Sequence, residues 1–180
     1  PETYRFPRNT SDREVLAQAY DLMQDVLAEE WQAKAENIPI ATPYEALILA
    51  SIIEKETSRG DERARISGVF TRRLEKRMRL QTDPTVIYGI GPDFNGNLTR
   101  RDLQTDTPYN TYTRGGLPPT PIAMPGRAAI NAALHPADGE ELYFVATGLG
   151  DGSHAFSATK DEHDAAVAEY LRRLRQQRNQ

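Results

Sequence analysis

The longest apolar run of the chain lies at 46–60, ALILASIIEKETSRG, and it breaks off in two carboxylates. Its left flank predicts a helix start. Thr42 caps, Pro43 suits the first helical position, and Glu45 closes a capping box. Ala46, Leu47, Ile48, Leu49, Ala50, Ile52 and Ile53 leave little polar face, so the pattern predicts a helix buried on most sides. Gly60 is its expected stop. Glu54 and Glu56 then fall in its last turns.

Other segments show clearer periodicity. After an extended aromatic lead-in with Pro1, Tyr4, Phe6 and Pro7, Ser11-Asp12-Arg13-Glu14 is a second capping box. Val15, Leu16, Ala19, Leu22, Met23, Val26, Leu27 and Trp31 recur behind it at helical spacing, to about Ala35. A helix is expected over about 62–77, with Ile66, Val69, Phe70 and Leu74 inward. Arg63, Arg65, Arg72, Arg73, Lys76 and Arg77 form its solvated face. Pro84 argues against a central strand at 80–88, although Thr85, Val86, Ile87 and Tyr88 carry β-character. Leu98 to Leu103 predicts a short helix with Thr99 as cap. Pro108 to Gly126 is too rich in Pro and Gly for regular structure, and ordered loops of that length are often functional. A short helix is expected over 125–134 and a hairpin from Glu141–Ala146 and Ser153–Ser157. A last helix opens with the capping box Thr159–Glu162.

The 180 residues suit one domain with an extension. The expected fold is α+β, with helices around the buried one and a small antiparallel sheet. Residues 1–41 form a lead-in and helix packed on a catalytic domain at 42–180. A net charge of −4 gives no nucleic-acid footprint. There is no cysteine for a disulfide or a thiolate metal site. No apolar run reaches the roughly 18 residues of a membrane span. The start at Pro1 rather than Met reads as a piece of a longer protein.

The candidate chemistry is carboxyl chemistry. Apolar surroundings disfavour the charged form of a carboxyl group, and the negative end of a helix dipole acts in the same direction. A carboxyl held protonated near neutrality is what a general acid needs. Glu54 and Glu56 both occupy such a position, with Asp83 as a second carboxylate. Solvation, or pairing with Arg59, Arg63 or Arg65, is the competing role for either glutamate. His135, His154 and His163 show no metal-ligand spacing. No phosphate loop, dinucleotide-binding fingerprint or nucleophile elbow occurs. Tyr109, Asn110, Thr111 and Tyr112 combine aromatic faces with amide and hydroxyl groups, a mixture that suits sugar binding.

The blocks ASIIEKET, RLQTDPTVIYG, TPYNTYTRGGLPPTPIAMPG, ALHP and LYFVATGLGDGSHAFSAT occur in that order. In them the chain resembles the catalytic domain of the YceG-like (MltG) family of bacterial endolytic murein transglycosylases, over most of its length. The resemblance implies a peptidoglycan lyase that cuts the MurNAc-β-1,4-GlcNAc bond without water and leaves 1,6-anhydro-MurNAc ends. One glutamate serves as acid and then as base, and no cofactor is needed. Lytic transglycosylases and goose-type lysozymes carry the acid in a helix-ending I-I-x-x-E-S pattern. Laid on it, Glu56 and Thr57 take the Glu-Ser positions, with Glu54 supporting, in a lysozyme-like active-site region.

The same resemblance makes Gln81, Asp83, Tyr88, Asn110, Tyr112 and His154 candidates to line a glycan groove. It further implies glycan strands as substrate and peptidoglycan synthases as partners. The full-length protein would be anchored in the cytoplasmic membrane, with this domain on the periplasmic or outer side. Three other readings compete. A hydrolytic muramidase would use Asp83 as base or nucleophile. A glycan-binding module would have no catalysis. A pyridoxal-phosphate lyase is opposed by the lack of a phosphate cradle beside Lys34, Lys55, Lys76 or Lys160.

Overall fold

A computed structural model describes residues 3–178, apart from the side chain of Arg178. Pro1 of the lead-in lies outside the described residues. The order of elements is α1 (Asp12–Gln32), α2 (Pro43–Glu56), α3 (Arg63–Glu75), α4 (Asp83–Ile90), a 3-10 turn (Gly91–Asp93), α5 (Arg100–Gln104), α6 (Arg127–Leu134), β1 (Tyr143–Ala146), β2 (His154–Ser157) and α7 (Lys160–Arg178). The result is a mixed α+β fold with one small antiparallel sheet among the described residues.

Helix α2 is the centre. Its capping box closes as expected, with Thr42 Oγ1 accepting from Glu45 N at 3.2 Å. Leu49, Ala50, Ile52 and Ile53 are fully buried. They meet Ile66 and Phe70 of α3 and Ala129, Ile130, Ala133 and Leu134 of α6 in one apolar cluster. Helix α2 packs most extensively on α6, and α1 covers α6 from outside. The helix ends at Glu56, not Gly60, because Thr57 turns to extended backbone. Thr57 is itself buried, and its hydroxyl accepts from Arg59 N at 3.0 Å.

The hairpin pairs Tyr143 with Ser157 and Ala146 with His154. Leu142 N to Ser157 O and Thr147 N to Ser153 O, both 2.9 Å, extend its ladder. Its connection carries Gly148, Gly150 and Gly152 at positive φ, a region open to glycine. Helix α7 packs on both strands, and Phe144 meets Phe70 edge-on at 5.7 Å.

Two further segments differ from what their local pattern suggests. The β-branched run at 85–87 is helical, part of α4, with Pro84 at its start. Pro84 fits a first helical turn, and burial of Thr85 and Val86 overrides their weak strand preference. Nor do Arg72 and Arg73 lie on a solvated face. Arg72 Nη1 donates to Ala137 O at 2.9 Å and Nε to Glu141 O at 2.8 Å, while Arg73 Nε donates to Leu142 O at 2.6 Å. They tie α3 to the strand-entry segment.

Candidate active site

A cavity of about 470 Å³ opens at the C-terminal end of α2. Glu56 lines it together with Arg73, Gln81, Thr82, Asp83 and Tyr112. Tyr143, Phe144 and Val145 of β1 and Lys160, His163 and Val167 of α7 form the facing wall.

The helix end projects Glu56 beyond the last apolar turn, and the 80–83 segment meets it there. Thr82 Oγ1 donates to Glu56 Oε1. Glu56 Oε2 has no protein partner among the described residues and is not sealed from solvent. Burial pushes the Glu56 carboxyl above its ordinary range. The Thr82 hydrogen bond and His154 oppose that shift, and the charge of Asp83 reinforces it.

Thr82 is itself held at both backbone groups. Its N–H donates to Thr111 Oγ1 at 3.1 Å, and its carbonyl accepts from Thr85 Oγ1 at 2.8 Å. The two hydroxyls that hold it lie 2.9 Å apart. Thr82, Thr85 and Thr111 are all buried, so this clamp is shielded from water. Gln81, just before it, takes a left-handed φ of 55°, and its N–H donates to Thr111 O at 3.2 Å. Asp83 accepts from Tyr112 Oη at 2.5 Å. Burial, and next the Asp83 hydrogen bond, push the Tyr112 phenol upward, so it stays a donor.

Of the residues expected in a groove, Gln81, Asp83 and Tyr112 thus meet at Glu56. Tyr88 is exposed on α4, with its ring against Tyr109 at 4.8 Å, and is not in the cavity wall. His154 binds Glu62, with Nδ1 2.7 Å from Oε2 and its N–H donating to Oε1 at 3.1 Å. Asn110 is not brought to the cavity. It is fully buried, and its amide donates to the carbonyls of Asp102, Leu103 and Thr105, which fixes the turn before Tyr112.

Thr82, Arg73, Tyr143, Lys160 and His163 also line the cavity, although none of them was among the residues expected there. Only Thr82 carried a signal, its place between Gln81 and Asp83. Glu54 points elsewhere. Its Oε2 accepts from Gly126 N at 3.0 Å, at the N-cap of α6, and it lines a separate cavity with Arg63 and Arg127.

Fold and site define a class: a mixed α+β domain with a partly buried carboxyl, that of Glu56, at the end of its central helix, facing a hairpin across a cavity. The chain belongs to the YceG-like family, whose profile matches residues 1–169. It is 36% identical over 171 residues to the endolytic murein transglycosylase of Bacillus subtilis (strain 168), covering 95% of this chain and 46% of that protein. It is 30% identical over 176 residues to the endolytic murein transglycosylase of Streptococcus pneumoniae serotype 2 (strain D39 / NCTC 7466), covering 95% and 31%. The chain therefore spans less than half the length of these relatives. The crystal structure of a yceG-like protein from Listeria monocytogenes superposes with a TM-score of 0.71 at 35% identity, over 91% of this chain and 52% of that one.

Proposed function

We propose that this domain is an endolytic peptidoglycan lytic transglycosylase with Glu56 as its single acid and base. One observation carries the reading: at the end of the central helix, burial favours the protonated form of Glu56, while Oε2 is left for substrate. The similarity to two endolytic murein transglycosylases supports the substrate class.

In this reading Glu56 gives its proton to the oxygen leaving the anomeric carbon of the muramoyl residue, and the glycosidic C–O bond breaks. The carboxylate then removes the proton of the 6-hydroxyl as that oxygen bonds to the anomeric carbon. The proton lost in the first half is regained in the second, and no water enters. A second carboxylate as nucleophile is not needed, unlike in most glycosidases. Thr82 stabilises the transient carboxylate, and Asp83 favours its reprotonation.

Gln81, Asp83 and Tyr112 contact the sugar beside the cut in this scheme, and Tyr88 and His154 serve more distant parts of the strand. The helix-end acid facing a hairpin supports a lysozyme-like arrangement. Glycan strands are the substrate, peptidoglycan synthases are the expected partners, and a membrane anchor elsewhere in the full-length protein would hold the domain outside the cytoplasmic membrane.

The test is digestion of purified peptidoglycan in water enriched in oxygen-18, with products identified by mass. Anhydro-muramoyl ends free of the label are expected. Labelled reducing ends would make the domain a hydrolase and give Asp83 a catalytic part. Binding without cleavage would reduce it to a glycan-binding module.

A further inference from the structure

Arg73 is 7% exposed yet lines the same cavity as Glu56. A buried guanidinium keeps its charge, and buried charges are ordinarily paired. The protein partners of Arg73 are all neutral. Nε donates to Leu142 O at 2.6 Å. Nη1 reaches Arg79 O at 3.0 Å, Leu80 O at 2.8 Å and Gln81 Oε1 at 3.4 Å. None of the ion pairs of the described residues includes Arg73. Nη2 has no acceptor among the described residues, and it is not sealed from solvent.

The guanidinium is therefore fixed by two of its nitrogens, with the third left over. The ring of Tyr143 lies 5.1 Å from its central carbon and completes its seat. The carboxyl groups of Glu56 and Asp83 and the cations Arg73 and Lys160 line the cavity. Lys160 is exposed and paired with Asp164, so the unpaired charge is that of Arg73.

We propose that Arg73 Nη2 is a subsite for an oxygen of the 3-O-lactyl group on the muramoyl residue, a carboxylate in peptide-free strands and an amide carbonyl in peptide-bearing ones. This rests on the domain acting on peptidoglycan. The acetamido groups of the glycan are neutral and shared by both sugars, so they neither balance the charge nor mark the muramoyl unit. The lactyl group marks the muramoyl unit in every strand, and as the free carboxylate of a peptide-free strand it also balances the charge. A guanidinium donor fixed in advance matches a carboxylate better than a flexible lysine would. It would also set which sugar sits beside Glu56, and hence which glycosidic bond is cut.

The test titrates the Glu56→Gln protein, which holds strands uncut, with three oligosaccharides of equal length: a chito-oligosaccharide without lactyl groups, a peptide-bearing muramoyl strand and a peptide-free muramoyl strand. Calorimetry is expected to rank affinity in that rising order, with the peptide-free strand roughly tenfold tighter than the chito-oligosaccharide. In the Arg73→Gln version the advantage should fall to near unity, and in Arg73→Lys it should shrink, while chito-oligosaccharide affinity holds in both. That ratio is insensitive to a merely structural role for Arg73.

Equal affinity for the three ligands overturns the subsite even if no Arg73 variant folds. A lactyl preference that survives in folded Arg73→Gln overturns it too. The catalytic reading fails separately, when the wild type yields no anhydro ends although the lactyl preference and its loss in Arg73→Gln are both seen.

Discussion

Glu54 and Glu56 lie two residues apart on one helix and have opposite surroundings. Glu54 faces α6, where its carboxylate accepts from Gly126 N and sits at the positive end of that helix's dipole. Glu56 faces the hairpin side, at the negative end of its own helix, with one hydroxyl donor and an open cavity. The first caps a helix, and the second is the acid of the proposed reaction. Their difference comes from which neighbour each helix face meets, not from the local sequence they share.

The largest effect should come from exchanging each for its amide. Glu56→Gln is expected to lower formation of anhydro ends by about 10²-fold or more, the scale of a lost general acid. Glu54→Gln is expected to stay within a few-fold of wild type in the same digest.

Next is the support of Glu56. Thr82→Val removes the hydroxyl that favours the charged form, so the acid stays protonated to higher pH. The alkaline limb of the rate profile should move upward, while the rate at its plateau falls roughly tenfold from lost orientation. Thr82→Ser should restore both. Asp83→Asn should move the same limb downward, because the Asp83 charge favours protonation.

Smaller effects concern stability. The carboxyl of Glu56 is raised in the folded protein, so its contribution is full below the unfolded-state value and is lost as pH rises through the folded one. Glu56→Gln should therefore melt higher than wild type at neutral and alkaline pH, by on the order of 2–4 °C, and the two should converge in acid. Glu54→Ala should lower stability by about 1 kcal/mol, typical of a lost cap, with little change in turnover. Thermal scans over pH check both.

Much of the fold was legible because its punctuation is local. Ser11 with Glu14, and Thr42 with Glu45, form the capping boxes that the chain spells out, and Thr99 caps α5. The hairpin fell within the expected segments for the same reason. What was not legible depends on distant partners. Helix α4 was hidden by β-branched residues whose burial decides their state. Arg72 and Arg73 match a solvated stripe in periodicity, yet the acceptors of Arg72 and of Arg73 Nε lie 65 to 69 residues away in the chain. Asn110 has the chemistry of a sugar ligand, but its amide holds loop carbonyls. Helical spacing does not separate Glu54 from Glu56; the resemblance alone favoured Glu56, and the different surroundings of the two emerge only with α6 and the 80–83 segment in place.

The most direct measurement is a carbon-13 NMR titration of the Glu56 side-chain carboxyl in the wild-type protein, with the signal assigned by its loss in Glu56→Gln. A midpoint above the ordinary glutamate range is expected, rising further in Thr82→Val. A midpoint at or below that range would mean that Glu56 is ionised at working pH, and would contradict its role as the acid.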